Sequence, residues 1–250
     1  MKAILRKVVL PVVFFAVSVT VSAQKNHYHY EAGFNLGTLI YQGDLVVSDM
    51  GSFKGAAPML QLWAGKPFSP YFSWRANLTF GSIDGDDARF ATPFWKRYRN
   101  FNFHSPVTEL SGVLQYNIYG DNDKDSYHTL TPYFFAGLGL TKLNIRRDWS
   151  RLDSSVDGES YIRKGLVIDS LHKLPSVLAV LPVGAGLKWM VTPRLSLNAE
   201  LGFRLTMTDY LDGFSYSANP KKKDAYYSVS LGLGFVLGSD GLKCPQVRTK

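Results

Sequence analysis

Cysteine is almost missing from this chain of 250 residues, with Cys244 the only one. A disulfide-stapled scaffold and a Cys-based zinc site each need several, so both are excluded. Charge is also scarce, at 19% of residues, where soluble proteins average about 25%. A disordered chain is excluded too, since it needs high net charge and few rings, and here aromatics reach 14%. Beyond residue 23 no run approaches the roughly 20 apolar residues of a membrane helix. What the sequence does hold is 46% hydrophobic residues and 22 Gly, spread in a pattern that suits one β-rich domain.

Residues 1–23 read as an export signal. Lys2, Arg6 and Lys7 make a basic start, Val8 to Val21 is almost wholly apolar, and Val21-Ser22-Ala23 places small residues at a cleavage site. Cleavage after Ala23 leaves residues 24–250 as the mature domain and lowers the formal charge from +8 to +5. That modest excess sits in apparent loops, at Lys96, Arg97, Arg99 and Lys221 to Lys223. An exported chain without a basic helix makes a poor nucleic-acid binder. Anionic lipid headgroups are the simpler counterpart for those loops.

From Tyr28 onward the hydrophobic pattern has a period of two, the mark of strands whose faces meet different surroundings. Phe72, Trp74, Ala76, Leu78 and Phe80 share one face, opposite Ser73, Arg75, Asn77 and Thr79. Leu195 to Thr206 and Tyr227 to Leu237 repeat the pattern, and segments near 28–41, 56–65, 106–119, 131–145 and 177–192 follow it less cleanly. The count is eight strands, each long enough for the roughly 9–11 residues that cross a bilayer at a tilt. Connections alternate: 66–70, 120–130 and 192–194 are short or turn-like, and 42–55, 84–105, 146–176 and 208–224 are longer. Short periplasmic turns and long extracellular loops are the layout of an outer-membrane barrel. The sequence therefore predicts an all-β fold, an eight-stranded antiparallel up-and-down transmembrane β-barrel with a short periplasmic C-terminal tail.

Alternation alone does not say which face is inside. A lipocalin-like barrel turns its apolar face inward, and a membrane barrel turns it toward lipid. The apolar faces here run without charge, which lipid demands, because Arg or Lys at mid-bilayer costs about 2–4 kcal/mol. Aromatic residues crowd the strand ends (Tyr28, Tyr30, Tyr41, Tyr71, Phe72, Trp189, Tyr210, Tyr226, Tyr227), as an interfacial girdle would. The polar faces carry both signs, at Glu31, Arg75, Glu109, Lys188, Glu200 and Arg204. Eight strands leave a bore that side chains can fill, and enclosed charges must pair. Arg75, Glu109, Glu200 and Arg204 are thus expected to form an ion-pair network that closes the lumen. The alternative is a charged channel constriction.

No catalytic, cofactor-binding or metal site is assigned. His104 and Ser105, with Glu109 nearby, invite a hydrolase reading, but neighbours on a strand point to opposite faces. Gly120-Asp121-Asn122-Asp123-Lys124-Asp125 lacks the central Gly of a calcium loop, and Pro132 stands where a bidentate Glu is needed. Asp84, Asp86 and Asp87 suit a turn at a loop base, and His27 with His29 is too small a set for a metal. Cys244 is left as a lone thiol that forms an intermolecular disulfide, contacts a partner, or sits unpaired in the tail.

Across Tyr30 to Pro245 a series of short strings occurs in a shared order. They are Tyr41-Gln42-Gly43-Asp44-Leu45, Arg75-Ala76-Asn77 with Gly85-Asp86-Asp87, Asn100-Phe101 with Phe103, and Ser105-Pro106 with Glu109-Leu110. Pro132-Tyr133 with Phe135-Ala136-Gly137 and Pro182-Val183-Gly184 with Lys188 follow. Glu200 with Gly202-Phe203-Arg204, Thr208-Asp209-Tyr210-Leu211-Asp212, and Lys243-Cys244-Pro245 complete the series. In these the chain resembles the PorG-like outer-membrane β-barrel family of the type IX secretion system. The resemblance implies a non-enzymatic outer-membrane component without a cofactor, whose partners are outer-membrane lipids and a periplasmic lipoprotein ring. Docking is expected through Gly120 to Leu130 and the tail around Cys244. A small surface ligand-binding or passive barrel, unrelated to secretion, is the alternative. The tail after Pro245 is more basic than in that family, and the 146–176 loop is long.

Overall fold

The computed structural model describes residues 29–47, 51–120, 122, 129–153, 159–218 and 224–238. The expected signal segment, His27, Lys221 to Lys223, most of the 120–130 turn and Cys244 lie outside them. The long strands are β1 (Tyr30–Gln42), β2 (Ala57–Pro67), β3 (Phe72–Asp86), β4 (Asn102–Asn117), β5 (Leu130–Leu143), β7 (Val177–Thr192), β8 (Leu195–Thr206) and β9 (Ala225–Leu237). A three-residue strand, β6 (Arg146–Asp148), and two helices, α1 (Trp95–Arg99) and α2 (Glu159–Leu171), lie in the connections.

The sheet runs β3-β2-β1-β9-β8-β7-β5-β4, and β3 pairs with β4 to close it into a barrel of eight long strands. Every neighbouring pair is antiparallel, and the first and last strands join at Tyr30 with Leu237 through Gln42 with Ala225. Closure leaves no free edge among the long strands, which removes the unpaired backbone groups that hydrocarbon cannot satisfy. Connections at 68–71, 118–129 and 193–194 leave one rim, and those at 43–56, 87–101, 144–176 and 207–224 leave the other.

The two faces separate by parity. Along β4, burial alternates without a break from Phe103 to Asn117. Arg75 and Arg204 are 5% and 3% exposed inside the barrel, while Trp74, Leu201 and Leu231 are 46%, 43% and 70% exposed outside it. The polar face is therefore internal and the apolar face external, the arrangement of a transmembrane barrel. Tyr30, Tyr71, Phe72 and Trp189 stand exposed near the short-turn rim, where an aromatic girdle belongs. Tyr41 and Tyr226 do not belong to that girdle. Both are fully buried, because each shares the parity of inward neighbours, Leu39 for the first and Ser228 for the second.

The long-loop rim differs from the exposed loops expected there. Leu45, Phe90, Phe101, Leu211 and Phe214 from three connections, with Leu166 of α2 from the fourth, pack onto inward strand residues Leu39, Met59, Ile83, Val107, Leu143 and Val180. Phe101 and Phe214 stack at 4.5 Å between ring centroids. The loops thus form a folded cap with an apolar core that continues into the barrel mouth. The length of the 146–176 connection is accounted for by β6 and α2, which take part in this cap.

Candidate functional site

The lumen is filled by side chains arranged in tiers. Nearest the short turns, Lys188 Nζ donates to both oxygens of Glu31 at 2.7 and 2.8 Å. Asn35 donates to Gln61 at 2.9 Å, Gln61 to Thr79 at 3.3 Å, and Trp63 Nε1 to Asn35 at 3.2 Å. The inward indole needs room, and two glycines supply it. A Cβ at Gly33 would come within 2.6 Å of the Trp63 ring and one at Gly234 within 3.0 Å.

The four charged residues singled out in the sequence fall into two pairs. Arg75 forms a two-pronged ion pair with Glu200, and Tyr133 Oη donates to the same carboxylate at 2.6 Å. The Arg75 guanidinium also lies over the rings of Trp63 and Phe135, at 5.6 and 5.2 Å. Nearer the cap, Arg204 Nε donates to Glu109 at 3.3 Å, and Tyr226 Oη donates to that carboxylate at 2.8 Å. Thr141 and Tyr226 share a 2.8 Å hydrogen bond, and Ser111 donates to Glu109 at 3.3 Å. Each buried carboxylate thus has one guanidinium and one phenol, which offsets the loss of water around both ions. Sequence reasoning missed Tyr133 and took Tyr226 for a girdle residue. The parity of β9 was the available signal that Tyr226 turns inward; Tyr227 lies on the outer face but is itself buried, stacked on Phe203, and so is no exposed girdle residue either.

The hydrolase grouping does not assemble. His104 is exposed on the outer face, whereas Ser105 and Glu109 are buried inside. Ser105 Oγ accepts from the Asn144 amide at 3.3 Å and donates to the Pro106 carbonyl at 3.3 Å. Among the described residues, no three His, Cys, Asp or Glu side chains gather in a way that could hold a metal ion.

The cap has a polar framework of its own, and it joins strings that lie far apart in sequence. Tyr41 Oη is 2.7 Å from Asp212 and 2.8 Å from Asp224, and it accepts the Asp44 amide at 2.9 Å. Asp87 accepts from Arg99 Nε at 2.7 Å and from the Phe101 amide at 3.2 Å. Lys96 and Arg99 both donate to the Asp44 carbonyl, at 2.8 and 3.0 Å. Asp169 of α2 accepts the amides of Ser215, Tyr216 and Ser217 at 3.3, 3.1 and 2.9 Å. Asp86 caps the turn that follows it by accepting the Ala88 amide, and Asp84 pairs with Arg89 at 2.5 Å.

Burial perturbs the ionisable groups of this cap. Asp212 is pushed up to about 8, chiefly by loss of water, with Asp44 adding to the rise and Arg99 opposing it. Asp224 is raised well above the ordinary range by burial and then by Asp212. Lys96 is lowered to about 8 by burial, against the pull of Asp87. The phenol proton of Tyr41 serves only one carboxylate at a time. Burial favours the protonated form of the other carboxyl, in which its hydroxyl can donate to the phenol oxygen.

A comparison with curated proteins finds no match. Among solved structures the chain is similar to Neisserial surface protein A (NspA), at 15% identity over 83% of this chain and 97% of that one, with a TM-score of 0.42. It is similar to the outer membrane protein OprG from Pseudomonas aeruginosa, at 11% identity over 85% and 96%, with a TM-score of 0.44. A major outer membrane protein from Thermus thermophilus gives 13% identity over 83% and 99%, with a TM-score of 0.45. A family model described as "Domain of unknown function (DUF6089)" matches residues 6–236.

Proposed function

The chain belongs to the DUF6089 family, and we propose that it is a non-catalytic barrel of the outer membrane that anchors a periplasmic lipoprotein ring for type IX secretion. The observation that carries the reading is the filled bore. The inward polar side chains from Ser73 to Ser230 are buried against one another, and the folded cap stands above them. A barrel whose bore is packed in this way by the described side chains does not form a channel for a solute. Its work then falls to its two rims and its lipid-facing wall.

The secretion assignment draws on the ordered strings that resemble the PorG-like family. Many of them have structural work in this fold. Tyr41 meets Asp212, Asp87 meets Arg99 beside Asn100, and Arg75 meets Glu200. The contact with the ring is assigned to the short-turn rim, through the 120–130 turn and the tail around Cys244. Export by cleavage after Ala23 and outer-membrane residence belong to the same proposal.

Deleting the gene should abolish secretion of cargo bearing the type IX C-terminal sorting domain. The full-length protein, purified in mild detergent, should bring down a periplasmic lipoprotein. Normal cargo secretion in the deletion strain would refute the secretion role. The second reading, a surface ligand-binding barrel, is favoured by the folded cap, and it predicts loss of ligand binding from cap variants that secrete normally.

A further inference from the structure

The cap buries Asp87, Asp169, Asp212 and Asp224, with Lys96 and Arg99 beside the first of them, and carries further cations, Lys54, Arg97, Arg151 and Lys164, exposed on its surface. Exposed cations continue down to the rim of the barrel wall. On the outer face of β4, β5 and β6, Thr108 faces Lys142 and His104 faces Arg146. His104, Lys142 and Arg146 are all exposed. Neither Lys142 nor Arg146 forms an ion pair with a described residue. The carboxylates near them are engaged elsewhere, Asp84 by Arg89 at 2.5 Å and Asp148 by the Ser150 amide at 2.8 Å.

Immediately below these cations the wall is aliphatic. Leu110 faces Leu140 across the strand pair, and Leu110, Leu138 and Leu140 are 61%, 71% and 59% exposed. A lysine and an arginine thus stand at the edge of a leucine surface, on the side from which the long loops leave. A zwitterionic headgroup brings its own cation and leaves such a pair unmatched; a headgroup with two phosphate monoesters matches it. The two cation positions are four residues apart along β4, about 13 Å of strand, and their long side chains can turn toward each other. Arginine presents a planar fork to a phosphate and lysine a point charge.

We propose that Lys142 and Arg146, with His104 beside them, seat the phosphates of a bisphosphorylated glycolipid of the outer leaflet, whose acyl chains lie on Leu110, Leu138 and Leu140. The inference rests on the membrane placement of the barrel proposed above and names the lipid that its long-loop rim takes.

The test uses the full chain in detergent, mixed with bisphosphorylated lipid A or with its fully dephosphorylated form, and counts retained lipid by native mass spectrometry. The unmodified protein should retain the bisphosphorylated form preferentially. K142E/R146E should lower that retention by about tenfold or more, at roughly 1 kcal/mol for each surface cation. K54E/R97E, changed at exposed cap positions, should bind as the parent does. K142Q/R146Q gives a milder second variant, and the faster gel mobility of unboiled barrel verifies folding in each. Equal retention by K142E/R146E and parent would overturn the site, as would equal retention of the dephosphorylated lipid. Reconstitution into phosphatidylcholine vesicles separates the two levels. A chain that fails to insert contradicts the membrane reading itself, whereas one that inserts and shows no phosphate preference contradicts this inference alone.

Discussion

Replacing Arg75 with Leu should cost the barrel about 3–5 kcal/mol, the usual penalty for leaving one member of an enclosed ion pair behind. Glu200 would keep its bond from Tyr133 at 2.6 Å but lose both bonds from the guanidinium while staying buried. Trp63 and Phe135 would lose the cation that lies over their rings. The double variant R75L/E200Q should recover much of the loss, because it removes the stranded charge along with its partner. Urea unfolding in lipid vesicles, followed by tryptophan fluorescence, measures both. If Arg75→Leu proved neutral, the pair would not be closing the lumen.

The second large effect concerns pH and the cap. In the closed cap Asp212 titrates near 8, with Asp224 also raised, both mainly through burial. In an opened, solvated cap each would return to about 3.9. Between about pH 4 and 8, therefore, the closed cap holds protons that the open cap has released, and raising the pH through that window weakens closure. Above pH 8 that loss is complete for Asp212. Lys96, lowered to about 8, works in the opposite sense only from there up to its ordinary value, so the acidic window reports the carboxyl groups. Asp44, Asp209, Arg99 and Arg147 face the same cluster; of these, Asp209 is raised to about 6 by burial and adds to the same trend.

Hydrogen exchange at the Phe101, Leu211 and Phe214 amides, each bonded to a cap aspartate, reads cap opening directly. Corrected for intrinsic rates, the opening constant should rise by about tenfold or more from pH 5 to pH 8, since one pKa unit already corresponds to tenfold. Asp212→Asn, which mimics the protonated acid, should flatten much of this rise. A pH-independent opening constant in the parent would rule out the shared proton.

The wall of the barrel was legible in the sequence because lipid and lumen impose opposite requirements on alternate residues. One face of Phe72 to Phe80 or Leu195 to Leu205 could be read without knowing any partner strand. What pairs with what was not legible to the same degree. Arg75 and Glu200 lie 125 positions apart, and only the register of the closed sheet brings them together. The expectation of one network of four charges therefore resolves into two separate tiers. The tyrosines that complete each tier were hidden for another reason. An aromatic near a strand end suits both an interfacial girdle and a buried hydrogen bond, and parity alone separates the two.

The cap escaped the sequence reading almost wholly. Its core residues, such as Leu45, Phe90, Leu211 and Phe214, are scattered through connections that carry no period. No single loop among them has an apolar face of its own, and the core exists only when several loops converge on the barrel mouth. The short strings Tyr41-Gln42-Gly43-Asp44-Leu45 and Thr208-Asp209-Tyr210-Leu211-Asp212 flank that mouth. Their tyrosine and aspartate turn out to be bonded to each other at 2.7 Å.

Nitroxide labels placed one at a time on β9, at Ser228, Val229, Ser230, Leu231, Leu233 and Phe235 in a Cys244→Ser background, test the orientation of the wall most directly. In lipid vesicles, labels at 229, 231, 233 and 235 should collide freely with dissolved oxygen and scarcely with a water-soluble nickel chelate. Labels at 228 and 230 should be shielded from both. The reverse alternation, with oxygen reaching the even positions and the odd positions enclosed, would contradict a barrel whose apolar side meets hydrocarbon.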